Sequence, residues 1–83
     1  MAASKADLIR WFEAGVRDNK ARMIIWCDTY DYEDYPVYTD LTGIDLKVWT
    51  RMEDGKDMKR LMEVYDLTGD MDAQMSVNRA FNY

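Results

Sequence analysis

Met23-Ile24-Ile25-Trp26-Cys27 is the longest uninterrupted apolar run in the chain and the feature that most narrows its fold. A strand with one wet face alternates apolar and polar side chains, and this run does not alternate. Arg22 to Thr29 therefore reads as a strand buried on both faces, lying at the centre of its sheet. Polar residues Asp31 to Asp34 follow as a turn, and Tyr35 to Thr39 reads as a second strand. Pro36 lacks an amide donor, which places this second strand at an edge or starts it at the proline. Two strands so close in sequence pair most simply as an antiparallel hairpin.

Around that hairpin the pattern turns helical. Leu8, Trp11, Phe12, Gly15 and Val16 recur at steps of three and four, giving an amphipathic helix from about Lys5 to Asp18. Ser4 with Asp7 three residues on is a helix-start signal, with Asp where the capping box usually has Glu or Gln. Asp45 to Met52 fits two periods. Leu46, Val48 and Thr50 alternate as in a strand, whereas Leu46, Trp49 and Met52 sit at helical spacing. The extended-structure preference of Val48-Trp49-Thr50, and the support a third strand gives a hairpin, favour strand. After the break at Glu53-Asp54-Gly55, Lys56 to Leu67 reads as a second helix. Met58, Leu61, Met62, Val64 and Tyr65 form its apolar face, and Lys59 with Glu63 an i,i+4 pair. Met58 and Met62 fill core gaps in this reading. A last, sparser helix capped by Asp70 or Asp72 runs to about Ala80. The expected fold is one α+β domain over residues 1–83. It comprises an N-terminal helix, a two- or three-stranded antiparallel sheet, and one or two C-terminal helices covering a sheet face.

A chain of 83 residues makes one small domain that buries roughly 60–65% of its unfolded surface. At 48% hydrophobic residues it can still build a core, which argues against disorder. The single Cys27 precludes an internal disulfide and suits a reducing compartment or a buried thiol. No stretch approaches the roughly 20 apolar residues of a membrane span, and the first residues hold no apolar signal core. The expected location is the cytoplasm, away from membranes. An acidic chain without a basic run also lacks the Lys and Arg face that direct nucleic-acid binding requires.

The charge is confined. Asp28, Asp31, Glu33, Asp34, Asp40 and Asp45 stand between Met23 and Leu46 without one Lys or Arg, while the remainder holds ten acids and eleven bases. This window therefore carries the whole net charge of −5, together with Tyr30, Tyr32, Tyr35 and Tyr38. Crowded carboxylates raise free energy unless water, a metal or a basic partner offsets them. A metal site through carboxylates fits poorly. Counted from Asp28, an EF-hand loop would need Gly at its sixth position and Glu at its twelfth, where the chain has Glu33 and Thr39. With no histidine, zinc or iron would depend on one Cys and carboxylates, so no metal or cofactor is expected. Asp28, next to a buried strand, could carry a raised pKa as a catalytic acid. No histidine base, glycine-rich phosphate loop or nucleophile motif accompanies it, so the chain does not read as an enzyme. Cys27 reads as packing.

Two readings of the window remain: a solvated turn, or a docking surface. Tyr rings beside carboxylates make good contact units for Lys and Arg on a partner, through charge-assisted bonds and cation–π contacts. The candidate partner-binding residues are Asp28, Tyr30, Asp31, Tyr32, Glu33, Asp34, Tyr35 and Asp40. The partner would be a protein or ribonucleoprotein complex with a basic, nucleic-acid-handling surface. Two alternatives stand beside it. One is a small metal-dependent protein or enzyme using Asp28 and Asp31. The other is a homo-oligomeric assembly subunit contacting its copies through aromatics of the first helix.

The stretch from Met23 to Tyr38, with its Asp28-Thr29-Tyr30-Asp31-Tyr32-Glu33-Asp34-Tyr35-Pro36-Val37-Tyr38 segment, resembles the central motif of a family of small phage and bacterial proteins. Met62-Glu63-Val64-Tyr65-Asp66-Leu67 resembles the later motif of that family, and an amphipathic helix precedes the first motif there as here. Members typically have a valine-rich run where this chain has Ile25-Trp26-Cys27. The resemblance brings no activity to any residue and implies a phage or mobile-element setting. In size, acidity and lack of catalytic apparatus the chain is also similar to phage-encoded inhibitors of host defence, including anti-CRISPR proteins. That likeness is one of type.

Overall fold

A computed structural model describes residues 3–83. The elements are α1 (Lys5–Arg17), β1 (Arg22–Asp28), β2 (Glu33–Thr39), α2 (Gly43–Glu53), β3 (Lys59–Asp66) and α3 (Met71–Met75). This is the expected α+β class. The three strands form one antiparallel sheet in the order β2-β1-β3. The apolar run thus occupies the central strand, and the strand bearing Pro36 lies at an edge.

Alternation along β1 supplies two cores. Met23 and Ile25 point to one face, where they meet Phe12 of α1, Tyr65, Leu67 and Ala80, with Leu8, Trp11, Met71 and Met75 packed around them. Ile24 and Trp26 point to the other, against Leu46 of α2 and Val64, with Val37, Trp49, Leu61 and Tyr83 alongside. All four side chains are essentially inaccessible. Burial on this scale, about 1.5–3 kcal/mol per large apolar side chain, makes β1 the spine of the domain.

The capping box at α1 forms with Asp in the Glu position. Ser4 Oγ accepts from the Asp7 amide and Asp7 Oδ2 from the Ser4 amide, both at 3.2 Å. Three other elements differ from the sequence reading. Residues 45–52, expected as a strand, lie within helix α2. Leu46, Trp49 and Thr50 face the sheet while Val48 points outward, so the alternation of Leu46, Val48 and Thr50 is incidental. Residues 56–67, expected as a helix, form a turn and strand β3, the third strand of the sheet. Pairing with β1 overrides the helix preference of Lys, Leu, Met and Glu there. The Lys59–Glu63 helical pair is accordingly absent, and Lys59 Nζ instead meets Glu53 Oε1 at 2.9 Å. The last helix stops at Met75, well short of Ala80, and is capped by Asp70.

The outer edge of β3 is covered around Val64 by residues 80–82. The Val64 amide donates to Ala80 O and the Asn82 amide to Val64 O, each at 2.9 Å, forming a parallel bridge between Val64 and Phe81. The Arg79 guanidinium donates to Leu61 O and Met62 O on the same edge. Among the described residues no helix is long and apolar enough to cross a membrane.

Candidate functional site

The β1–β2 connection is built by its own acids. The Asp28 carboxylate accepts from the Tyr30 amide at 2.8 Å and that of Asp31 from the Glu33 amide at 3.0 Å. These are the local side-chain-to-backbone bonds that Asp forms in turns. The Tyr32 amide closes onto Asp28 O at 2.7 Å, and Tyr32 itself takes a φ of +59°, a left-handed conformation uncommon for an aromatic residue. Both rings are largely exposed, Tyr30 at 79% and Tyr32 at 67%.

A second turn sits beside the first. Asp57 and Met58 both have positive φ, and the Lys59 amide donates to Lys56 O at 3.1 Å, the pattern of a type I′ turn. The Thr29 amide donates to Met58 O at 2.7 Å, joining the two turns. One end of the sheet therefore presents Tyr30, Tyr32 and exposed Met58, with Asp28, Asp31, Glu33 and Asp57 among them. Among the described residues, no ion pair engages Asp28, Asp31 or Glu33.

The remaining candidates are dispersed. Asp34 and Tyr35 are neighbours on a strand and so project to opposite faces. Half-buried Asp34 accepts the Ala3 amide at 3.0 Å, on the strand position facing Cys27. Tyr35 lies across from Trp26 on the α2 face, near Lys59, whose ammonium is 5.0 Å from the Trp26 ring centroid. Asp40 follows the far end of β2, with its carboxylate 4.0 Å from Lys20. Asp45 stands in the first turn of α2. The acidic window is thus continuous in sequence and divided in space. Its hairpin end gathers Asp28, Tyr30, Asp31, Tyr32 and Glu33. Asp34 and Tyr35 flank that group on separate faces, and Asp40 and Asp45 lie away from it.

Sequence reasoning put Asp57 and Met58 inside a helix from Lys56 to Leu67, with Met58 on its apolar face, and so missed them as turn residues. The two-residue turn also lacks the Asn-Gly or Asp-Gly pair that normally announces it. Bases from outside the window stand at this end too: Lys56 and Lys59 flank the Asp57–Met58 turn, Lys59 lies opposite Asp28 in the sheet, and Lys59 is held by Glu53. That carboxylate raises the Lys59 pKa through its hydrogen bond and charge, and its own pKa is lowered in return.

Burial pushes the Cys27 thiol up, and a hydrogen bond and charge from Asp34 add to the effect. The thiolate needed for nucleophilic chemistry is correspondingly disfavoured. Among the described residues, no three Cys, Asp or Glu side chains converge as a metal-ligand set, and no enclosed pocket is present. What this end of the domain offers chemically is contact: ring faces, a thioether and carboxylate oxygens on a rigid sheet terminus. Comparison with protein-family models, curated proteins and solved structures finds no match to this chain.

Proposed function

We propose that this chain is a non-catalytic binding protein whose hairpin end docks on a basic surface of a partner protein. The observation that carries the reading is the pair of well-exposed rings, Tyr30 and Tyr32, set among Asp28, Asp31 and Glu33 on two joined turns. Two tyrosine rings exposed on one turn supply a contact pair, and Tyr is enriched where partners bind. Carboxylates unengaged by ion pairs suit Lys and Arg that would otherwise meet phosphate. The partner is a cytoplasmic, nucleic-acid-handling protein or ribonucleoprotein complex. The setting is that of a phage-encoded inhibitor of host defence of the anti-CRISPR type. The chain itself binds neither nucleic acid nor membrane.

The test is affinity capture from bacterial lysate with the wild-type chain and an Asp31→Asn/Glu33→Gln/Asp34→Asn variant. The amide side chains retain the oxygen acceptors that hold the turns, so the variant keeps the fold and loses charge. Wild-type protein should capture a basic complex with affinity that falls as salt rises, and the variant should bind weakly with a flatter salt dependence. Equal capture by both proteins would remove the hairpin end from the mechanism.

A further inference from the structure

A different face of the molecule carries a second contact surface. Ile44, Val48 and Met52 recur at four-residue steps on α2 and are 70%, 49% and 60% exposed. They form one continuous row on the side of the helix turned from the sheet. On its inner side the same helix places Leu46 and Trp49 in the core. A helix apolar on both sides is normally covered on both. The row is bordered by Lys47 and Arg51, a second i,i+4 row, both exposed and engaged in no ion pair among the described residues. Asp45 borders the opposite side near the helix start.

We propose that the outer face of α2 docks an amphipathic helix of a partner protein, with an apolar ridge on Ile44, Val48 and Met52 and acidic residues against Lys47 and Arg51. The charge pattern selects this occupant. A second copy fits less well, because antiparallel two-fold packing of α2 sets the Lys47–Arg51 row beside its own equivalent, like charge against like.

The probe is a synthetic helical peptide with a Leu/Ile ridge and Glu flanks, compared with a twin carrying Lys in place of Glu. Binding is followed by NMR on the methyl groups of Ile44, Val48 and Met52. The Glu peptide should shift these three signals saturably and bind about tenfold more tightly than its twin. A Val48→Asp variant should lose the shifts, and a Lys47→Glu/Arg51→Glu variant should exchange the preference. Absence of binding by both peptides would overturn the proposal, as would equal binding, or shifts confined to the Tyr30–Tyr32 turn. Self-association that Val48→Asp abolishes would overturn it in favour of a second copy. Because the hairpin end plays no part in these signals, the result is independent of the docking function proposed above.

Discussion

Gly15 sits inside α1, where replacing Gly by Ala ordinarily stabilises a helix by about 1 kcal/mol. Here the opposite outcome is expected. A Cβ at this position would lie 2.7 Å from Leu67 Cδ1 and 2.7 Å from Tyr38 Cε1, against the roughly 3.5–4.0 Å of a comfortable carbon–carbon contact. The Leu67 methyl can swing by a few tenths of an ångström. The Tyr38 ring has less freedom, because its hydroxyl donates to Trp11 O on the same helix at 2.7 Å. Overpacking of this kind costs about 1–3 kcal/mol. Set against the helix gain, Gly15→Ala should destabilise the domain by about 1 kcal/mol, lowering Tm by roughly 4–8 °C for a chain this size. Urea titration and thermal melts followed by circular dichroism would measure it. A Tyr38→Ala background supplies the control, since vacated ring volume accepts the methyl and leaves the helix gain alone, reversing the sign. A Gly15→Ala protein as stable as wild type would refute the argument that α1 rests on the sheet through this glycine.

Met58→Gly should stabilise the domain by about 1 kcal/mol in the same urea assay, because Gly removes the left-handed strain at an exposed turn position and little packing is lost. Burial pushes the Asp66 carboxyl up, but hydrogen bonds from the Thr68 hydroxyl and amide, together with the Arg22 charge, hold it below its ordinary 3.8. Its contribution is therefore present above about pH 4 and lost as pH falls through the lower folded-state value, and Asp66→Asn should flatten the acid limb of a stability–pH profile. Burial, then the hydrogen bond to Glu63 and its charge, push the Tyr65 hydroxyl well above its ordinary 10.0. The unfolded chain then releases that proton first as pH rises past about 10, so stability should decline in alkali, and Tyr65→Phe should remove that part of the decline.

The first half of the fold is legible because its residues obey one period at a time. α1 keeps helical spacing with a cap, β1 is apolar from Met23 to Cys27, and Pro36 marks an edge. β3 is illegible for a specific reason. Its pairing with β1 slips between Ile25, opposite Glu63, and Trp26, opposite Leu61, which leaves Met62 as an extra residue. A bulge breaks the two-residue period. Leu61 and Val64 then serve one core and Met62 and Tyr65 the other, so apolar residues fall at three- and four-residue steps within a strand. In α2, Val48 looks like part of a strand only while its exposure is unknown. The candidate site was legible as composition and not as geometry. Sequence locates the acids and rings, but β2 separates Asp40 from the turn and sends Asp34 and Tyr35 to opposite sides. Met58 joins the site through a strand pairing that no local pattern announces.

The closure of β3 by residues 80–82 governs how this protein is made. Ala80 fills one core and Tyr83 borders the other, while Arg22 in the first strand donates to Tyr83 O. A nascent chain still held in the ribosomal exit tunnel short of residue 83 has α1 and the hairpin but neither closed edge nor complete core. Synthesis from the N-terminus therefore leaves this edge of β3 unpaired and both cores open until residues 80–83 have emerged, and in that interval β3 is the strand most open to pairing with another chain.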